Sequence, residues 1–155
     1  RLRIIGRRDR IAGDLRSAIQ VLEKLSSKNT GLNLTVALDY GGRQDIAGAA
    51  LAIAKEIEAG MLTADDLNDD LLKSRMSTRI LPPVDLLIRT GGEKRLSNFL
   101  LWDLTYAELF FSDKLWPDFT RGDLFDAITS FQGRQRRFGG GRYNSDKTLR
   151  VVVSD

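Results

Sequence analysis

The apolar residues of this chain fall into two alternating kinds of segment. Short apolar runs occupy residues 1–6, 32–38 and 85–89, and each is followed by a stretch in which apolar residues recur every three or four positions. The first pattern is typical of strands and the second of helices. Because strands that alternate with helices usually form parallel sheets, the chain is predicted to have an α/β fold with an open, mainly parallel sheet flanked by helices.

Polar residues at the segment boundaries predict where the helices begin. A side-chain oxygen that caps the first turn is available at four places, Asp9, Asp45, Thr63 and Thr120. The helix after Asp45 is alanine-rich and ends at Gly60, and the short one after Thr63 reaches about Lys73. The first helix has the apolar positions Ile11, Leu15, Ala18, Leu22 and Leu25, and the last has Leu124, Phe125, Ile128 and Phe131.

The third apolar run ends in Arg89, directly before a pair of glycines. Ligands of open parallel sheets bind outside the carboxyl ends of the strands, so this arginine is expected to face a crevice. We expect the N–H groups of Gly91 and Gly92 to turn toward a phosphate there. Arg95 and Ser97 follow, at the start of a helix predicted over residues 97–104, whose free N–H groups favour an anion. Diphosphate is the predicted ligand.

The segment AELFF, residues 107–111, has the composition of a strand, so we expect the preceding helix to end near Thr105. An unbroken helix would carry Glu108 roughly 16 Å along the axis from Ser97, too far for both to share an ion with a bound phosphate. A reversal of the chain would bring Glu108 back.

The composition of the chain excludes several kinds of catalytic and metal site. Lysine and arginine total 24 against 21 acidic residues, and this mild excess does not by itself indicate nucleic acid. The chain contains neither cysteine nor histidine, which excludes thiolate chemistry, a Ser-His-Asp triad and histidine metal sites. Any metal must therefore be held by oxygen ligands, which favours Mg2+. No run approaches eighteen apolar residues and no signal peptide is evident, so we expect a soluble, cytoplasmic protein.

Several motifs closely resemble the cis-prenyltransferases, of which bacterial undecaprenyl diphosphate synthase is the best-known type. The most specific is PPVDLLIRTGGEKRLSNFLLWDLTYAELFFSDKLWPDF, and it is accompanied by RLRIIG, NTGLNLTVALDYGGRQDI and FQGRQRRFGGG in the family's order. The resemblance covers residues 1 to about 140. It implies a magnesium-dependent transferase that condenses isopentenyl diphosphate with an allylic diphosphate such as farnesyl diphosphate to give a polyprenyl diphosphate.

The resemblance also implies roles for individual residues. Glu108 corresponds to the family's magnesium-binding glutamate, and RRFGG reaches the partner's active site in a homodimer. The substrate-binding residues implied are Arg89, Glu93, Arg95, Leu96, Ser97, Arg137 and Gly139, with Glu93 shaping the loop. The lipid product would bring the enzyme into peripheral contact with a membrane.

Other family motifs are absent from the sequence. The DGNGRW-type loop with its catalytic aspartate, the histidine-bearing helix and the FSxxNW-type segment are not found, and Asp39 lies in a segment that matches the later NYGGR motif. The chain also begins in a strand without methionine, so we expect the carboxyl-terminal portion of a longer domain, residues 1–143. No catalytic residue is then expected in this chain. Residues 144–155 are unassigned, and their VVV is either a strand or a frayed tail.

Simpler interpretations remain open for each of these features. Arg89 could serve only as an ion-pair partner, Glu108 as a solvated side chain, and Ser97 as a helix cap. The four arginines in residues 134–142 could form a nucleic-acid patch, but exposed aromatics and a known module are not evident, so we expect no nucleic-acid partner. A different class of function is a non-catalytic subunit or truncated remnant that needs a second polypeptide.

Overall fold

The computed structural model describes residues 1–134 and 151–154. Contacts divide the chain into two compact units, Arg1–Ile80 with Asn98–Leu100, and Leu81–Ser97 with Leu101–Asp155. All strand pairs in the described residues are parallel and helices accompany them, so the predicted α/β class is confirmed.

The first unit contains a two-stranded sheet and three α-helices. Its elements are β1 (Leu2–Ile5), α1 (Gly13–Ser26), β2 (Leu34–Ala37), α2 (Gly42–Glu58) and α3 (Asp69–Arg75), with short 3-10 helices at Ala64–Asp66 and Ser77–Ile80. β1 and β2 pair from Leu2 opposite Leu34 to Ile5 opposite Ala37. Both strands were predicted, and the capping box of Thr63 and Asp66 is present, although it starts a 3-10 turn rather than the predicted helix.

The unpaired edge of β1 is covered by side chains from α1. The Leu2 amide donates to Ser26 Oγ at 3.0 Å, and the Ile4 amide donates to Glu23 Oε1 at 2.9 Å. Arg8 donates to both carboxylate oxygens of Glu23 and to the Ile4 carbonyl. Edge strands leave backbone groups without a partner strand, and here side chains bond them instead.

The prediction for α1 was wrong at its start and on its buried face. Ala12 is the N-cap and has no side-chain capping bond, while Asp9 pairs with Arg7 at 2.7 Å. Ile19 is the buried residue of this helix, and the predicted apolar positions Leu15, Leu22 and Leu25 are 50, 51 and 73% exposed. The helix is oriented by the bonds that Glu23 and Ser26 make with β1, so its leucines face outward.

In its described residues, the second unit contains a three-stranded sheet and one α-helix. Its elements are β3 (Leu86–Arg89), β4 (Glu108–Phe111), a 3-10 helix at Trp116–Asp118, α4 (Arg121–Gln132) and β5 (Val151–Ser154). β3 lies in the centre with β4 on one side and β5 on the other. One cluster of its core consists of Leu86, Ile88 and Ala127, with Phe110, Phe119, Leu124 and Phe131 packed against it.

This sheet includes two segments in the carboxyl-terminal half of the chain, AELFF and VVV. AELFF does form a strand, β4, as predicted. Of the two alternatives left open for the terminal VVV, the strand is observed, and Val151 lies opposite Leu86 in β3.

The helix predicted over residues 97–104 is wrong. The segment forms successive turns, and Ser97, Asn98 and Leu100 have φ values of +46, +66 and +43°. Non-glycine residues rarely adopt the left-handed region, and a right-handed helix cannot pass through it. The apolar residues of NFLLWDL therefore lie in turns rather than on one face of a helix.

The start of α4 was predicted correctly, and its capping residues predict how the stability of the second unit depends on pH. Asp123 Oδ2 accepts from the Thr120 amide at 2.7 Å, and Lys114 Nζ lies 2.7 Å from Asp123 Oδ1. The hydrogen bonds from Lys114 and then Thr120 hold the pKa of Asp123 well below its ordinary value of 3.8. The carboxylate is thus favoured in the folded state, and its stabilising contribution is present above pH 4 and is lost as the pH falls toward the folded pKa.

We therefore expect Asp123→Asn to lower the urea midpoint at pH 7, and the difference from the parent to shrink steadily below pH 4. Tryptophan fluorescence is the readout, because both tryptophans, Trp102 and Trp116, belong to the second unit. Asp126→Asn, at an exposed position of the same helix, is the control. A difference that stayed constant between pH 7 and pH 3 would contradict the assignment.

In the described parts of the chain, no helix combines the length and apolar character needed to cross a membrane.

Candidate anion site

Arg89, the last residue of β3, is the centre of the candidate site. Its side chain is held inside the second unit, with only 7% of the residue exposed. One guanidinium nitrogen, Nη1, donates to the Arg95 carbonyl and to Ser97 Oγ, the latter at 2.9 Å. Nε is buried and has no hydrogen-bond partner among the described residues. A buried arginine without a carboxylate partner retains a positive charge that a bound anion can satisfy.

The glycine pair plays a different part from the one predicted. The Gly91 amide donates to the Lys114 carbonyl at 2.7 Å and the Gly92 amide to the Ser112 carbonyl at 2.9 Å. Their φ values, +86 and +77°, explain the need for glycine in this turn. Because both amides are bonded within the protein, the expectation that they face a phosphate is wrong. The helix N-terminus expected at Ser97 is also absent, so only side chains remain as anion ligands in the candidate site.

The loop after the glycines brings two further charged residues together. Arg95 Nη1 forms an ion pair with the Glu93 carboxylate, and both side chains are largely exposed. Leu96, between Arg95 and Ser97, is half-buried. Exposed ion pairs are weak, so Arg95 can exchange Glu93 for a more highly charged anion at small cost. Arg95 and Ser97 thus lie in the loop that follows Arg89 and β3, with Glu93 as the partner of Arg95.

Glu108 does not lie beside Arg89. It begins β4 opposite Leu86, whereas Arg89 is opposite Phe111, so the two residues are three positions apart along the sheet, about 10 Å at the usual rise. Glu108 Oε2 lies 2.7 Å from Arg134 Nη1, which also donates to the Leu109 carbonyl. A turn precedes β4, in which the Ala107 amide donates to the Leu104 carbonyl at 3.0 Å, and Glu108 after it pairs with an arginine rather than lying beside Ser97.

Whether Glu108 could bind Mg2+ depends on the oxygen ligands that the protein offers around it. Among the described residues no group of three or more acidic side chains could hold a metal ion. Magnesium is nevertheless often bound by one or two carboxylates together with phosphate oxygens and water. Glu108 offers one carboxylate for such an ion, and in this structure that carboxylate is paired with Arg134. Arg137 and Gly139, the other candidate binding residues, lie outside the described residues.

Asn98 is a structural residue of this segment that the sequence predictions did not include. Within the first unit, its carbonyl accepts from the Gly42 amide at 2.7 Å and its Oδ1 accepts from the Arg43 amide at 2.8 Å. Its Nδ2 donates to Gln44 Oε1 at 3.0 Å. Asn98 thus satisfies the first N–H groups of α2 from a position 55 residues away in sequence. Asparagine adopts left-handed φ more readily than most residues, and this preference was the sequence signal for a turn at Asn98.

Comparisons with known proteins agree with these motifs. A prenyltransferase family described as undecaprenyl diphosphate synthase matches residues 1–139. A ditrans,polycis-undecaprenyl-diphosphate synthase from Salmonella paratyphi A is 47% identical over 147 residues, which are 95% of this chain and 58% of that protein. An isoprenyl transferase from Rhodopirellula baltica is 45% identical over 140 residues, which are 90% of this chain and 57% of that protein.

The fold is shared with a solved structure of the same kind. Lavandulyl diphosphate synthase from Lavandula x intermedia, determined in complex with dimethylallyl diphosphate, superposes with a TM-score of 0.87 at 42% identity. The superposition covers 90% of this chain and 60% of that chain. This chain therefore spans somewhat more than half the length of the relatives that it matches.

Proposed function

Because the chain belongs to the undecaprenyl diphosphate synthase family of prenyltransferases, we propose that it takes part in cis-prenyl chain elongation. In this reaction isopentenyl diphosphate is condensed with an allylic diphosphate, such as farnesyl diphosphate, to give a polyprenyl diphosphate such as undecaprenyl diphosphate. This chain supplies the isopentenyl diphosphate site. The observation that carries the proposal is the buried Arg89, whose guanidinium donates to Ser97 and meets no carboxylate in the described part of the chain.

Each residue of the loop has a part in holding the diphosphate. Arg89 supplies a positive charge, and its Nε–H has no partner in the part of the chain that the structure describes. Ser97 Oγ accepts from Arg89, so its own hydrogen is free to be donated to a phosphate oxygen. Arg95 leaves Glu93 and adds a second guanidinium, whose planar set of donors suits paired phosphate oxygens. Mg2+ held by Glu108 would neutralise part of the diphosphate charge.

The magnesium role of Glu108 can be tested apart from diphosphate binding. In isothermal titration, Mg2+ should tighten binding of isopentenyl diphosphate to the parent chain, and Glu108→Gln should reduce that gain about tenfold, equal to about 1.4 kcal/mol. Affinity without Mg2+ should change little, because the arginines remain. Asp126→Asn is the control, since it removes one acidic charge at an exposed position. A Mg2+ response that survives in Glu108→Gln would contradict the role.

A second candidate function is a prenyltransferase subunit or remnant that is inactive without another polypeptide. It is favoured by the exposed leucines of α1, Leu15, Leu22 and Leu25, which are consistent with a surface that another polypeptide covers.

An assay with radiolabelled isopentenyl diphosphate, farnesyl diphosphate and Mg2+ separates the two candidates. Formation of labelled polyprenyl diphosphate by the chain alone would eliminate the inactive subunit. Binding of isopentenyl diphosphate without turnover would support it. If the chain does not bind isopentenyl diphosphate at all, the site assignment fails for both candidates.

The homodimer implied by the family is part of the same proposal, with Arg137 and Gly139 contributing to the partner's site. Sedimentation velocity of the purified chain tests the dimer. A monomer at all accessible concentrations would remove this part of the proposal while leaving the role of Arg89 intact.

A further inference from the structure

A cavity of about 320 Å³ lies beside β1 in the first unit. Its lining comes from β1, from the segment between β1 and α1, from α1 and from the 3-10 helix Ser77–Ile80. It comprises Arg3, Ile4, Ile5, Gly6, Arg8, Glu23, Ser77, Arg79 and Ile80. Small-molecule sites usually have volumes of about 300 to 1,000 Å³, so this cavity suits a small ligand. None of its residues was assigned a role in diphosphate binding.

The lining carries an excess of positive charge. It contains three arginines and one glutamate. The glutamate is accounted for, because Arg8 donates to Glu23 Oε1 at 2.7 Å and to Oε2 at 2.9 Å. Two guanidinium groups remain without a carboxylate partner among the described residues. Arg3 donates to the Ile80 carbonyl at 3.3 Å and Arg79 to the Met76 carbonyl at 3.2 Å.

Ser77 is the second indication of a ligand. Its Oγ is buried and has no hydrogen-bond partner among the described residues. Its backbone amide is fixed by Asp45 Oδ1 at 2.7 Å, and Asp45 itself does not line the cavity. Buried hydroxyl groups are nearly always hydrogen-bonded, so the unpartnered hydroxyl of a residue that lines the same cavity as Arg3 and Arg79 is a candidate donor to an oxyanion.

We infer that this cavity binds the phosphate group of a small phosphomonoester. Arg3 and Arg79 neutralise the dianion, and the Ser77 hydroxyl donates to one of its oxygens. The apolar part of the lining, Ile4, Ile5 and Ile80, takes a short hydrocarbon substituent. The inference goes beyond chain elongation, since every residue that it uses belongs to the first unit, whereas Arg89, Arg95 and Ser97 belong to the second.

The experiment is isothermal titration of the full chain with n-butyl phosphate and with inorganic phosphate at constant ionic strength. It is performed in an Arg89→Ala background, so that the proposed diphosphate site does not contribute. We expect Arg3→Gln and Arg79→Gln each to weaken n-butyl phosphate binding tenfold or more, and Ser77→Ala several-fold. Arg16→Gln, which removes a charge from an exposed position of α1, should leave binding unchanged.

Arg79→Gln guards against misfolding as an explanation, because Arg79 is exposed and its loss leaves the core untouched. Circular dichroism of each variant checks the fold. Failure of n-butyl phosphate to bind, or equal weakening by Arg16→Gln, would overturn the site. Inorganic phosphate binding as tightly as n-butyl phosphate would overturn the monoester assignment and identify free phosphate as the ligand.

Discussion

Arg89→Ala is expected to weaken isopentenyl diphosphate binding at least about 100-fold, equal to about 2.7 kcal/mol. The variant removes a buried positive charge, and charge-assisted hydrogen bonds contribute about 1.5 to 3 kcal/mol each. It also leaves Ser97 without the donor that orients its hydroxyl. Arg89→Lys should recover only part of the affinity, because an ammonium keeps the charge but lacks the planar set of donors. Isothermal titration with and without Mg2+ is the measurement.

Arg16→Ala is the matched control for this experiment. It removes one arginine from an exposed helical position, and should bind isopentenyl diphosphate as the parent does. Circular dichroism of the Arg89 variants shows whether they are folded. If folded Arg89→Ala binds as tightly as Arg16→Ala, Arg89 is an ion-pair or packing residue and the proposed site is wrong.

Leu86→Ala should destabilise the second unit by about 2 to 5 kcal/mol, the usual cost of truncating a fully buried leucine. Leu86 is 1% exposed and packs with Ile88 and Ala127 in the core cluster. It also pairs with both neighbouring strands, opposite Glu108 and Val151. Small domains are stable by only about 5 to 15 kcal/mol, so this loss should shift the urea midpoint strongly. Tryptophan fluorescence reports it.

Leu115→Ala provides the same chemical change at a position that is 61% exposed in the same unit. We expect it to change the free energy of unfolding by less than about 0.5 kcal/mol. Equal midpoints for the two leucine variants would mean that β3 is not the centre of the core.

The parts of the fold that the sequence predicted are those set by local patterns. The apolar run before Arg89 and the composition of AELFF led to β3 and β4, and Thr120 marked the start of α4. In each case the burial of a strand or the capping of a helix requires residues that lie within a few positions of one another.

The parts that were missed are set by contacts distant in sequence. The turns after Ser97 include a left-handed Asn98 that bonds to the start of α2, and no spacing of apolar residues within 97–104 encodes that partner. The buried face of α1 was misjudged for a related reason, because Glu23 bonds to β1 and so determines the orientation of the helix.

For the candidate site, the contact between Arg89 and Ser97 agrees with their predicted proximity. The prediction that the backbone N–H groups of Gly91 and Gly92 face the anion was wrong. The glycine pair indicates positive φ at Gly91 and Gly92. The carbonyls that accept hydrogen bonds from their amides belong to Lys114 and Ser112, about twenty residues later in the sequence. A turn can thus be predicted locally, while the direction in which its N–H groups are used cannot.

The bonds that α1 makes along the edge of β1 also bear on the behaviour of the protein in solution. An open parallel edge is a template on which strands of other molecules assemble, and aggregation by this route is a common hazard. Glu23 protects the Ile4 amide as long as it is ionised, and the hydrogen bonds from Arg8 lower the pKa of Glu23 below its ordinary value of 4.5. The protection against self-association therefore persists into moderately acidic solution and is lost only at lower pH.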